Sequence, residues 1–385
     1  MAEVRSAPLD DRRLVVELQS LGVRVEDERD DGAAVPGRRG GAGPSDAGFL
    51  YVRGLPLTVP MHAGFAHRSP YTLRVDDQGA RILRDGSYVA PAVVPPRPRY
   101  YDLATADGVP YWKIALLHLD SVASTVVQKC IYWGTHEQCA FCGIELTRGE
   151  QTTPVKTPAQ LAEVCTAARD LDGAVDVTLT TGSLNRRDRG ALYISRCAAA
   201  IKEACGLPVE VQFEPPDDLA VLGQVHAAGV DAVGIHCETF DPDVLARVAP
   251  GKALTGIAGY FRTWERAVDV FGRGRVSTYV ILGMGERRDL IEEGCRRAIA
   301  MGVYPFVVPL RPVPGTLMAA EQPPDPDYVA SVYRSVAAML AEHGLDHTTA
   351  AAGCARCQAC SGLSAWERIF EKEAWRDRRV EAGTA

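Results

Sequence analysis

From residue 124 onward, short β-branched apolar runs alternate with stretches whose apolar residues recur at helical spacing. The runs are "STVVQKC", "AVDVTLTTGS", "PVEVQFEPP", "DAVGIHCETF", "RVSTYVILGMGE" and "YPFVVPLRPVPGT". Helical periodicity covers 157–171, 189–205, 217–229, 256–271, 288–301 and 325–343. A strand followed by a helix, repeated about every 30 residues, predicts parallel pairing with the helices outside the sheet. Six such units predict a partial (βα)6 TIM-like barrel, and a doubly wound open sheet is the runner-up. In such barrels chemistry gathers at the C-terminal ends of the strands. The unusual residues of this chain stand at those ends: Cys130, "TTGS", "FEPP", "HCETF", "GMGE" and "RPVPGT".

The pattern before residue 120 is different. Residues 1–120 read as a β-rich accessory region, interrupted at 27–48 by a polar, Gly-rich stretch expected to form a mobile loop. "YTLRVDDQGARILRDGSYV" alternates about Asp77-Gln78-Gly79 and predicts a β-hairpin, and the Pro-rich "APAVVPPRPRYYD" that follows is a semi-rigid spacer. The expected division is the accessory region at 1–120, the barrel core at 121–320, and at 321–385 a C-terminal helix, a Cys-rich extension and a charged tail.

Composition narrows the class. The chain has 385 residues, 46% apolar and 24% charged, as in ordinary globular proteins. A net charge of -7 argues against nucleic acid or an anionic membrane as partner. No apolar run approaches a membrane span and the first residues lack the form of a signal peptide, so a cytoplasmic location is expected. Eleven cysteines are too sparse for a disulfide scaffold. Six of them cluster, in "QKCIYWGTHEQCAFCGIE" (Cys130, Cys139, Cys142) and in "GCARCQACSG" (Cys354, Cys357, Cys360), which favours metal over disulfide.

Three cysteines are one short of a closed zinc tetrahedron. Either a distant ligand such as His136 completes the first site, or one position is open, as a reactive metal site requires. The C-terminal spacing of two and two suits an iron–sulfur cluster, with zinc as the competitor and His347 as a possible fourth ligand to either.

Three cysteines after the first strand of a βα barrel, with Phe141 just before the last ("CAFC"), resemble the radical SAM superfamily. The resemblance implies a [4Fe-4S] cluster held by Cys130, Cys139 and Cys142, with one iron left for S-adenosylmethionine (SAM). It implies reductive cleavage of SAM to a 5'-deoxyadenosyl radical that acts on a small-molecule substrate, and an electron donor such as flavodoxin or ferredoxin. "TLTTGS" stands where the superfamily recognises the methionine amino group, which implicates Thr180, Thr181 and Gly182. "HCETFDPDVLARVAPGK" is similar to a segment of lipoyl and biotin synthases; the likeness gives Glu238 a ribose contact and Arg247 a carboxylate contact, and makes His236 and Glu214 further candidates. "YVILGMGE" resembles the adenine-binding strand, bringing in Leu282, Gly283 and Gly285. Eight residues separate the first two cysteines where the superfamily commonly has three, a departure that loop-closure entropy tolerates. With its N-terminal region and its C-terminal cysteines, the chain resembles radical SAM proteins encoded beside nitrilases in bacterial gene clusters. The competing reading is a non-catalytic zinc, iron–sulfur or electron-transfer protein on a βα barrel.

Overall fold

A computed structural model describes residues 10–27, 46–146 and 151–367. The expected loop at 27–48 lies outside the described residues apart from its ends, as does the charged tail after 367.

The N-terminal part opens with α1 (Asp11–Leu21) and continues through β1 (Arg24–Asp27), β2 (Ala47–Val52), β3 (Leu55–Pro60), β4 (Tyr71–Asp76), β5 (Gly79–Arg84) and β6 (Ser87–Val93). These strands form one sheet in the order β1-β4-β5-β6-β2-β3, antiparallel except for the parallel pair β1 and β4. The expected hairpin is a three-stranded meander. Asp85 (φ 49°) and Gly86 (φ 81°) make a second tight turn after the one at Asp77-Gln78, because Asp-Gly accepts the positive φ that such turns demand. Its core of Leu14, Leu18, Leu50, Leu57, Tyr71 and Leu73 is buried between α1 and the sheet.

The second sheet is built from β7 (Leu116–His118), β8 (Ser121–Thr125), β9 (Asp176–Thr180), β10 (Val209–Gln212), β11 (Ala232–Gly234), β12 (Val276–Leu282) and β13 (Val303–Pro309). Its order is β13-β12-β11-β10-β9-β8-β7; all neighbours from β8 to β13 are parallel, and β7 pairs antiparallel on the edge. Neither edge strand pairs with the other, so this is a partial six-stranded βα barrel, open on one side.

The helices are α2 (Pro158–Asp172), α3 (Ala191–Cys205), α4 (Val221–Ala227), α5 (Pro242–Val248), α6 (Pro250–Ala253), α7 (Gly256–Phe271), α8 (Arg288–Met301), α9 (Pro326–Glu342) and α10 (Cys354–Cys357), and all but α5, α6 and α10 overlap the spans the periodicity marks. Helix α2 shows how the sequence sets its own limits. Thr157 and Gln160 form a reciprocal capping box, Pro158 occupies the first turn, and Gly173 ends the helix in the left-handed conformation. Asp241 caps α5 by accepting the N–H groups of Asp243 and Val244. Among the described residues no helix is long and apolar enough to cross a membrane.

Candidate active site in the half-barrel

Strand β8 ends at Thr125, five residues before Cys130, so Cys130 lies in the following loop and not at the strand end as expected. The chain leaves the sheet early because Gln128 turns away to bond Pro154 O (2.8 Å). The loop then packs over the C-terminal end of β9: Gly182 N donates to Val127 O (3.0 Å) and Ile131 N to Ser183 O (2.9 Å). Contact is so close that a Cβ on Gly182 would stand 2.0 Å from Lys129 O, which excludes every residue but glycine. Farther along, Ala140 is pinned on both sides, its N–H to Val248 O (2.7 Å) and its carbonyl to Met318 N (3.1 Å).

Cys130, Cys139 and Cys142 are brought together by this loop, Cys139 being buried and the other two partly so. Burial raises all three thiols, Cys142 to about 11 and Cys139 well above its ordinary value. Cys142 and Cys130 are close enough to influence one another, as are Cys139 and Cys142. The thiols therefore stay protonated at neutral pH until a metal displaces the protons. Among the described residues no three Cys, His, Asp or Glu side chains converge as a single-ion site. The donor set fits a cluster that gives each sulfur its own iron: three soft thiols on one pinned loop. His136 is exposed.

A buried cation adjoins the thiols. Lys252 Nζ donates to Glu238 Oε1 (2.6 Å) and to His236 O (2.8 Å). Burial pulls the ammonium pKa down, but Glu238 more than offsets this and holds it well above its ordinary value. The same charge opposes the rise at Cys130, Cys139 and Cys142. Glu238 itself has φ 72° and inserts into the ladder against Val280, with Ile281 N donating to its carbonyl (2.8 Å). Removing one partner of a buried pair leaves the other uncompensated, so Lys252→Met is expected to cost about 3–5 kcal/mol. Combining it with Glu238→Leu should recover much of that loss, as read by anaerobic denaturant unfolding.

The remaining candidates are dispersed more than the resemblance implies. Thr180 O accepts Val126 N (2.8 Å) and Gly182 O accepts Thr181 Oγ1 (3.0 Å), so two of these three carbonyls already have internal partners. Glu214 accepts from Tyr132 Oη (3.2 Å), which also receives Arg189 Nη1 (2.6 Å). His236 Nδ1 accepts Tyr279 N–H (3.1 Å), which leaves the proton on Nε2, a buried atom without a hydrogen-bond partner among the described residues. Burial holds this imidazole neutral. Arg247 is exposed, donates to Met284 O and lines a shallow hollow with Asp241, Gly285 and Arg287. Beyond Leu282, the N–H groups of Gly283 and Met284 are both taken by the Glu286 carboxylate (2.9 and 2.8 Å).

In that hollow, ion pairing with Arg287 holds the Asp241 carboxyl down at about 2. A depressed folded-state value means stability that is full above the unfolded carboxyl range and lost as pH falls toward 2. Asp241→Ala, which also removes the α5 cap, is expected to cost about 1–2 kcal/mol at pH 7 and less below pH ~3 in pH-dependent unfolding.

Inside the half-barrel the inward positions of successive strands, Thr178 and Thr180, Tyr279 and Ile281, Phe306 and Val308, enclose a cavity of about 330 Å³. Phe141 lines it from the first cysteine loop; Cys354, Cys357 and Cys360 line it too. The C-terminal segment enters the barrel from the end where the strands start. Gly353 N donates to Asp176 Oδ2 (2.7 Å) and Cys354 N to Glu210 Oε2 (2.9 Å), residues at the starts of β9 and β10. The segment then runs beside the edge strand, where Ser361 Oγ donates to Val307 O (2.5 Å). Carboxylates at the strand starts attract these N–H groups, and burial raises Glu210 to about 7. Cys354 Sγ receives Gln212 Nε2 (3.3 Å) and Tyr279 Oη (3.2 Å), and Cys360 Sγ lies 3.6 Å from Thr58 Oγ1. His347 turns to Glu367 (Nδ1 to Oε2, 2.5 Å), not to the cysteines.

Lys252 and Arg311 are the site residues that sequence reasoning left without a role. Each stood inside a segment already singled out, "VAPGK" and "LRPVPGT"; Lys252 lies in α6 and Arg311 just beyond β13.

The chain matches no family model. It is 23% identical over 317 residues, 76% of this chain and 79% of the relative, to the bacteriochlorophyllide c C-7(1)-hydroxylase of Chlorobaculum limnaeum. Among solved structures it is similar to a radical SAM methyltransferase from Sphaerobacter thermophilus (16% identity, TM-score 0.45, 71% of this chain and 77% of that one). It is also similar to methylornithine synthase (16%, TM-score 0.43, 56% of this chain and 61% of that one). The chain is thus similar, over about three quarters of its length, to a hydroxylase, and it carries a three-cysteine loop on a half-barrel.

Proposed function

We propose that the chain binds a [4Fe-4S] cluster through Cys130, Cys139 and Cys142, binds SAM beside it, and acts on a small molecule in the half-barrel lumen. The observation that carries this reading is a pinned three-thiol loop at the mouth of an apolar cavity, with Phe141 reaching into that cavity. When bound, cluster and SAM supply a 5'-deoxyadenosyl radical once an external donor such as flavodoxin or ferredoxin has delivered an electron.

The chain's own residues position and exclude. Lys252 holds positive charge beside the thiolates; Glu238, fixed by Lys252, keeps its second oxygen for a hydroxyl. Arg247 is available to a carboxylate on the outer side. The inward side chains of β12 and β13 keep water from the lumen. The relative acts on bacteriochlorophyllide c; a lumen of about 330 Å³, at the small end of ligand pockets, calls for a substrate far smaller than a chlorin. Cys354, Cys357 and Cys360 hold a second centre in the floor of that lumen.

Anaerobic purification and reconstitution test the reading. A brown protein that makes 5'-deoxyadenosine, with deuterium drawn from a labelled substrate, is the expected result; a colourless protein with stoichiometric zinc would overturn it. Arg247→Ala and Glu238→Ala are each expected to weaken SAM binding by about 1–3 kcal/mol in equilibrium titration, and unchanged affinity in both would remove them from the site.

A further inference from the structure

Arg311 directly follows β13 and faces the lumen beside Cys360. Its Nη2 donates to Thr58 O (2.9 Å), and no carboxylate among the described residues pairs with it. Other arginines drawn into this protein have acids: Arg189 has Asp217, and Arg356 has Asp120 and Asp176. A guanidinium withdrawn from water without an anion is unfavourable. Among the described residues Arg311 is also the only Lys or Arg lining the cavity; Tyr279, Phe306, Ile281, Val308 and Leu310 make the adjoining wall apolar.

We propose that the lumen binds a small carboxylic acid with an apolar body, its carboxylate held by the Arg311 fork and its body laid against Tyr279 and Phe306. One planar guanidinium matches one carboxylate in bidentate geometry, whereas a phosphate dianion calls for more positive charge than this wall offers. The inference rests on the reading that the substrate occupies the lumen, and it names the substrate's chemical class. Proximity to Cys360 defines the alternative, in which Arg311 compensates a thiolate-bound centre and meets no substrate.

The test is calorimetric titration of the full, anaerobically reconstituted chain with 3-phenylpropionate and with 3-phenylpropionamide, in the absence of SAM. The acid is expected to bind at least about tenfold more tightly than the amide, the scale of hydrogen bonding to a charged group. Arg311→Gln is expected to erase that preference with iron content unchanged, and Arg311→Lys, which keeps the charge and loses the fork, to retain part of it. Equal binding of acid and amide by the parent, or binding of neither at millimolar concentration, overturns the proposal. So does loss of the second centre's iron in Arg311→Gln, because the arginine then serves the cysteines. If Arg311→Gln does not fold, Arg311→Lys carries the test, and an unaltered preference in that variant counts against the fork. Because SAM is absent from the titration, failure here is distinct from failure to form 5'-deoxyadenosine.

Discussion

Simultaneous replacement of Cys130, Cys139 and Cys142 by alanine is expected to abolish 5'-deoxyadenosine production altogether. Each thiol supplies one bond to a different iron, and a cluster held by fewer thiolates is lost or degraded. The fold should survive the change. Ala140 is anchored by backbone bonds to Val248 and Met318, and Gly182 by its bond to Val127, none of which uses a cysteine side chain. Anaerobic reconstitution followed by chromatography of the SAM cleavage products, with circular dichroism as the control for folding, reads both halves of the expectation. A folded triple variant that cleaves SAM at the parent rate would remove the loop from the chemistry.

The second large effect concerns the lumen floor. With two four-iron centres the parent chain should hold about eight irons, and replacing Cys354, Cys357 and Cys360 by alanine should leave about four. SAM cleavage should then continue slowly without being coupled to product. Two features make this substitution informative. Burial raises Cys354 well above its ordinary value and Cys357 to about 12, so inert thiols there would be neutral and indifferent to iron supply. All three also line the same cavity as Phe141. Iron analysis that finds about four irons in the parent and no loss on substitution would exclude the second cluster.

Periodicity carried the barrel well. Helices α7 and α8 occupy the spans their apolar spacing defines, and β9, β10, β11 and β12 fall within their β-branched runs, whereas β8 lies mostly ahead of its run and β13 starts one residue before its own. Short local signals are harder to weigh: the Asp85-Gly86 turn adds a third strand to the expected hairpin, and the Asp241-Pro242 start opens a helix, α5, of only seven residues. What the sequence withheld is tertiary. The pairing of Lys252 with Glu238 joins residues 14 positions apart across a chain reversal, and the approach of Cys354 to Glu210 spans 144. Spacing along the chain reports which side chains can share a loop, as with the first triad. It does not report from which end a distant segment enters a barrel, since that is decided by buried carboxylates such as Asp176 and Glu210 seeking N–H donors.

The lumen is walled by the first and last parts of the chain as well as by the barrel. Thr58 of β3 accepts Arg311 at its carbonyl and, through its N–H, bonds Ala359 O; a Cβ on Gly353 would collide with Glu210, so that segment is seated tightly. On the ribosome, then, the half-barrel emerges and can pack while its interior still faces the surroundings, because the residues that seal it are synthesised after every barrel strand. Metal delivery to the first cysteine loop would have a natural window before that segment docks, and a chain stalled or clipped ahead of Gly353 would lack the cavity's three cysteines and present an apolar groove to chaperones and proteases.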